Sequence, residues 1–155
     1  MAGYFFFWKH RLSQWHMVDF VVDGVKYCNC EQYMMQQKAL LFGDTETAEK
    51  IMATTNPKSH QQFGRQVKNF DQDVWDAHKE SIVYKGNLAR FNQSAECREL
   101  LLSTGNKTLV EASPFDRVWG VGLGKDDPRI NSEANWRGQN LLGKILTRVR
   151  DELKA

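Results

Sequence analysis

CNCEQYMMQQKALLFG, residues 28–43, is the stretch that decides the fold. Gln, Met, Lys, Ala and Leu favour helix, and Gly43 suits the left-handed position that ends one, so the pattern predicts a helix from about Cys30 to Phe42. Glu31 and Lys38 then stand seven residues apart. Seven steps of about 100° leave them roughly 20° apart around the axis and about 10.5 Å apart along it. Two roles are open to such a pair. They are ordinary charges on a solvated helix face, or they border one pocket, where the carboxylate moves protons and the amine becomes a nucleophile once desolvation lowers its pKa.

Outward from this helix, the chain alternates strand and helix signals. Residues 3–8 (GYFFFW) and 18–28 (VDFVVDGVKYC) have strand character, and Asp23-Gly24 is a two-residue hairpin signal between Val/Phe-rich arms. A second helix over 45–54 opens after Asp44 and stops before Asn56-Pro57. Residues 71–92 predict a long helix, with Val74, Trp75, His78, Ile82 and Leu88 as its apolar stripe and Gly86 as a weak point. Ser94 caps a further helix, AECRELLLST, closed by Gly105, and Leu109-Val110 marks a short strand. Residues 114–138 are a Gly-rich loop holding two Pro and two Trp, long enough that function is the expected reason for it. Leu141, Leu142, Ile145, Leu146 and Val149 predict a closing core helix over 139–153. The expected architecture is α+β: one mainly helical domain over residues 1–155 with a small antiparallel sheet.

The 155 residues are 41% hydrophobic and include five Trp and nine Phe, enough for a packed core without disulfides. A net charge of +2 announces no strong field toward a polyanion. Three Cys cannot all pair within the chain, and Cys28 and Cys30 are too close for an ordinary bridge, which fits a reducing compartment, cytoplasmic or nuclear. The opening apolar run is short and has its basic patch on the wrong side for a secretory signal, and no stretch is long enough to span a bilayer. No membrane partner is expected. Cys28-x-Cys30 lacks zinc spacing, His10, His16, His60 and His78 form no HExxH pair, and Gly120-x-Gly122-x-Gly124 lacks the dinucleotide-binding pattern. That glycine run marks either a tight turn or a loop whose backbone approaches a ligand. No metal or other cofactor is expected.

Several segments read together resemble the NADAR, or YbiA-like, family of N-glycosidases. They are Leu12-Ser-Gln-Trp-His16, Val22-Asp-Gly24, Glu31-Gln-Tyr-Met-Met-Gln-Gln-Lys38, Asp116-Arg-Val-Trp-Gly120 and Gly138-Gln-Asn-Leu-Leu-Gly-Lys-Ile-Leu-Thr-Arg-Val-Arg150. Their order and spacing hold across almost the whole chain. Two departures, Gln32 where the family commonly has His, and Trp15-His16 after Leu-Ser, fall on the expected pocket wall. The resemblance implies a YbiA-like fold and hydrolysis of a bond between ribose C1 and a nitrogen. Two substrate groups go with it: ADP-ribose on guanine in nucleic acid, and phosphoribosylated intermediates of riboflavin synthesis. The chain shows no fused deaminase or reductase part, which favours the first. A non-enzymatic module that binds ADP-ribose or a related nucleotide is the remaining alternative, and it has no need of Glu31, Lys38 and Asp116 together.

Breaking the C1–N bond requires a proton for the leaving nitrogen and support for an electron-poor C1. The expected catalytic residues are Lys38, Glu31 and Asp116. Lys38 either attacks C1 to form a Schiff base or clamps the sugar, in which case Glu31 or Asp116 activates water; its structural alternative is a salt bridge to Glu31 or Asp116. Asp116 either binds ribose hydroxyls or closes a turn on its own backbone. Trp75 and Trp119 are expected to stack on a base or shape the sugar pocket, with core packing the alternative for Trp75; Phe5, Phe7, Trp8 and Trp15 offer an adenine platform, although an apolar strand is the stronger reading of Phe5 and Phe7; and Gly120 and Gly122 line the loop. Arg137 and Asn140 flank the start of the last helix, where free backbone donors favour a phosphate; Lys9, Arg11, Ser13 and Arg65 add diphosphate contacts. Protein partners are not specified by the sequence.

Overall fold

A computed structural model describes residues 3–155; Met1 and Ala2, which the expected domain includes, lie outside the described residues. The fold is α+β and mainly helical, as the sequence predicts. Its elements in order are β1 (Tyr4–Phe7), β2 (Phe20–Val22), β3 (Val25–Tyr27), α1 (Cys30–Leu41), α2 (Thr45–Met52), α3 (Pro57–Gly64), α4 (Gln72–Gln93), α5 (Ala95–Ser103), β4 (Thr108–Glu111) and α6 (Leu141–Lys154). They group into two compact units, one of residues 14–94 and one joining residues up to Ser13 with 95–155.

In the unit of residues 14–94, Asp23 and Gly24 both take positive φ (51° and 81°), the backbone of a type I′ turn. The turn fixes an antiparallel register, Phe20 facing Tyr27 and Val22 facing Val25. Phe20, Val22 and Tyr27 pack with Cys30 and Tyr33 of α1 into one core cluster, each buried apolar side chain contributing roughly 1.5–3 kcal/mol. Helix α1 starts where Asn29, in extended backbone, accepts the Gln32 N–H at 2.7 Å. It ends in a Schellman arrangement, with Gly43 N–H on Leu40 O and Asp44 N–H on Ala39 O. Asp44 then caps α2 through the Thr47 N–H and hydroxyl and also accepts the Lys68 N–H at 2.9 Å. The Lys68 N–H first, then the Thr47 hydroxyl and N–H, hold its carboxyl down at about 2.

Helix α3 has no counterpart in the sequence-based expectation. Asn56-Pro57 reads there as the stop of the preceding helix, whereas it also starts the next, with Asn56 accepting the Lys58 N–H and Pro57 in the first turn. The polar run KSHQQ gives no apolar period to reveal it. Helix α4, capped by Asp71, crosses α1 where Gly86 lies against the Tyr33 ring; a Cβ there would sit 2.5 Å from Tyr33 Cδ2.

In the other unit, β1 and β4 pair in parallel, Tyr4 beside Thr108 through Phe7 beside Glu111. The antiparallel pair agrees with expectation; this parallel one was not anticipated. Val110 and Ala112 pack with Val121, Leu123 and Ile130, with Tyr4, Phe6 and Trp136 against them. Helix α6 buries Leu142, Ile145, Leu146 and Val149 along one face. Among the described residues, no helix is long and apolar enough to cross a membrane.

Candidate active site

Helix α1 places Glu31 in its first turn and Lys38 in its last. Glu31 is 5% exposed, and its N–H donates to Gln14 O at 3.0 Å. Lys38 is half-buried, and its ammonium stands 4.6 Å from the centre of the Phe70 ring and 5.6 Å from that of Trp75. Within this unit no ion pair joins Lys38 to Glu31; the ammonium faces rings in place of a carboxylate. Burial pushes the Lys38 amine below the ordinary lysine range, Glu31 pulls it back up, and the Arg65 charge lowers it further. Each effect bears on the supply of neutral amine.

The frame around Lys38 is built by local structure. Trp75, 8% exposed, sits in the first turn of α4 behind the Asp71 cap. Phe70 precedes that cap on a turn where Asn69 takes φ +61°, and its ring meets Phe42 edge-on at 5.3 Å. The Asp44 carboxylate anchors the same linker at Lys68. Phe70 is absent from the sequence-derived site, because a single Phe in a polar linker carries no period. Arg65 is exposed at the end of α3. Trp15 is 39% exposed and is not one of the rings facing Lys38.

Behind the first turn of α1 runs a buried polar chain that sequence reasoning also missed. Asn87 donates to Gln14 Oε1 at 2.6 Å and to Val83 O, while the fully buried Arg90 donates to Asn87 Oδ1 at 2.7 Å. A sequence signal exists: Asn87 and Arg90, three apart, interrupt an otherwise apolar stretch of α4. Gln32, expected on the pocket wall, is spent on the scaffold. Its Oε1 accepts the Cys28 N–H, and its Nε2 donates to Ile51 O and Thr54 O, the latter also 2.7 Å from His60 Nε2.

In the second unit, Asp116 makes the turn its sequence allowed. Its Oδ1 accepts the N–H groups of Val118 and Trp119, both at 2.9 Å, and its own N–H donates to Ser113 Oγ at 3.1 Å. Within this unit Oδ2 accepts no hydrogen bond. The following loop docks on the start of α6: Gln139, Asn140, Leu141 and Leu142 N–H donate to the carbonyls of Arg117, Gly120, Val118 and Trp119. Two of the donors expected to be free at this helix start, the Leu141 and Leu142 N–H groups, are therefore occupied. Asn140, itself at φ +53°, spends its amide on Leu109 O and the Glu111 N–H. Gly120 and Gly138 lie where backbone meets backbone, and a Cβ on Gly138 would run into Gly120 O. Gly122, at φ +71°, faces Arg137 Cβ and Arg117 Cγ, and the exposed Arg137 donates its N–H to Val121 O. Trp119 is half-buried, and Ser13 closes a turn on His10 O at 2.8 Å. Among the described residues no three of His, Cys, Asp and Glu gather as metal ligands.

The NADAR domain model matches residues 6–154. The chain belongs to the NADAR family. N-glycosidase R617 of Acanthamoeba polyphaga mimivirus is 45% identical to this NADAR chain over 92% of it and 87% of the viral protein. Protein irg-1 of Caenorhabditis elegans is 42% identical over 83% of this chain, which spans 62% of that protein. N-glycosidase YbiA of Escherichia coli is 32% identical over 85% of this chain and 74% of its own length. The NMR structure of the E. coli protein YbiA matches with a TM-score of 0.81 at 28% identity, covering 99% of this chain and 86% of the other. The NADAR fold expected from the motif order is thus the fold present.

Proposed function

We propose that this NADAR chain is an N-glycosidase that hydrolyses a ribose C1–N bond, with ADP-ribose on guanine in nucleic acid as its substrate and Lys38 as the nucleophile. The bond class rests on the relatives named N-glycosidase. The observation that supports the nucleophile is a half-buried ammonium held over Phe70 and Trp75, with its pKa lowered, on the same helix as the buried Glu31.

The step balances as follows. The ribose ring opens as its oxygen takes a proton, leaving C1 doubly bonded to the base nitrogen. Neutral Lys38 adds to C1, the amine proton passes to the departing nitrogen through Glu31, and the C1–N bond breaks to leave a Schiff base on Lys38. One water adds to that imine, and the amine leaves as the free sugar aldehyde forms. No redox partner enters.

Mass spectrometry of a guanine-ADP-ribosylated oligonucleotide incubated with the wild type and with Lys38→Ala tests this reading. Wild type is expected to release ADP-ribose and intact guanine, and Lys38→Ala to lower turnover by about 10⁴-fold with binding retained. Borohydride during turnover is expected to trap the sugar on Lys38; active enzyme without an adduct would assign water attack to Glu31. An untouched oligonucleotide with cleavage of phosphoribosylated riboflavin precursors would move the substrate to the small-molecule class.

A further inference from the structure

Phe115 is 83% exposed and Trp8 is 39% exposed, and their ring centres lie 6.0 Å apart with the planes at 58°. Both residues belong to the unit that holds β1 and β4. Their meeting follows from topology. Trp8 is the first residue after β1, and Phe115 lies in the turn shortly after β4. Parallel pairing brings the two strand ends together, with Ala112 N–H on Phe7 O at 2.8 Å. Phe115 is not on a slack loop: its N–H donates to Ser113 Oγ at 3.3 Å. Lys9 follows Trp8 at φ +50°, a conformation uncommon for lysine, and carries its ammonium to 4.7 Å from the centre of the Trp8 ring.

Neither ring is accounted for by the fold. A phenylalanine this exposed forgoes the stabilisation that burial would give. What the pair offers is two splayed aromatic faces with a cation beside one of them. In this unit Lys and Arg outnumber Asp and Glu, and Arg117, two residues beyond Phe115, is exposed as well. Stacking faces flanked by positive charge suit bases and phosphates of an extended strand, because every base has a π-face and every phosphate a charge. An acidic peptide would use the charge and leave the rings idle.

We infer that Trp8, Phe115 and Lys9 form a stacking platform for single-stranded nucleic acid, on which one base lies against each ring and Lys9 meets the intervening phosphate. The inference rests on the nucleic-acid form of the function proposed above. Stacking is expected to contribute sequence-tolerant affinity for the strand around the modified guanine.

Fluorescence anisotropy with labelled, unmodified single-stranded DNA and RNA oligonucleotides tests it on the full chain. Trp8→Ala and Phe115→Ala are each expected to weaken binding by about ten-fold or more, and Phe115→Trp to retain it. Lys9→Ala is expected to lower the slope of log affinity against log salt by about one. Wild-type affinity in the Trp8→Ala/Phe115→Ala double variant overturns the platform. So does an equal loss of affinity for inorganic polyphosphate, which has no bases to stack, or binding of phosphatidylserine vesicles in place of the oligonucleotides. Circular dichroism of each variant separates lost binding from lost fold. Adduct hydrolysis by the wild-type chain is scored separately: cleavage with ring-independent binding sinks the platform alone, and ring-dependent binding without cleavage sinks the glycosidase reading alone.

Discussion

At the scale of the residue, Lys38 is governed by three opposed influences, and their signs can be separated. Burial and the Arg65 charge lower its pKa while Glu31 raises it. In the proposed mechanism a neutral amine is the nucleophile, so the rate is expected to rise with pH through an inflection below the ordinary lysine range and then level off. Arg65→Ala removes a like charge and is expected to move that inflection up; Glu31→Gln removes an opposite charge and moves it down. Competitive acetylation of Lys38 across pH measures both shifts without turnover. Glu31→Gln is nonetheless expected to slow hydrolysis by about 10²–10⁴-fold, because in the proposed mechanism a more available amine does not replace a lost proton carrier. Asp116→Asn keeps an oxygen to accept the Val118 and Trp119 N–H groups and loses only the charge. Unchanged thermal stability with reduced turnover would assign the charge to the chemistry; unchanged turnover would leave Asp116 as a turn former. That Glu31 and Lys38 share helix α1 was legible, because a seven-residue interval in a helix-forming run is geometry that sequence states outright. Phe70 and Arg90 were not, since one gets its position from a linker anchored by Asp44 and the other from a buried chain through Asn87 and Gln14.

At the scale of the element, caps and turns were the readable part. Gly43, Asp44, Asp23-Gly24 and Gly105 each mark a local backbone requirement that few residue types meet, and element ends follow them. Helix α3 escaped because Asn56-Pro57 serves as a stop and a start at once. Gly86 reads in sequence as a weak point of α4, and in the structure it is the place where α4 approaches the Tyr33 ring. Gly86→Ala gains about 1 kcal/mol of helix propensity but adds a methyl group against a ring already packed on Phe20 and Tyr27. With overpacking at roughly 1–3 kcal/mol, the balance is a net loss of up to about 2 kcal/mol, measured in urea unfolding. A stabilised variant would mean that the Tyr33 ring gives way. At the start of α6, unpaired donors are a general property of helix starts, yet here the carbonyls of Val118 and Trp119 take two of them, the Leu141 and Leu142 N–H groups.

At the scale of the whole molecule, the chain closes one unit from its two ends. The order of motifs made the α+β class and the family readable, because each motif is local. The parallel pairing of β1 with β4 is not local, and no period or turn residue announces a partner a hundred residues away. Deleting residues 3–8 is expected to leave Leu109 and Val110 without their neighbouring strand and to abolish amide protection in β4 and α6, while α1 and α4 stay protected in hydrogen exchange. Loss of protection throughout would show that the two units unfold as one. The same pairing has a consequence during synthesis. At about 5–20 residues per second, Tyr4–Phe7 leaves the ribosome roughly 5–20 s before Thr108–Glu111 exists to receive it. For that interval three consecutive phenylalanines are a strand without its partner, open to pairing with a neighbouring edge.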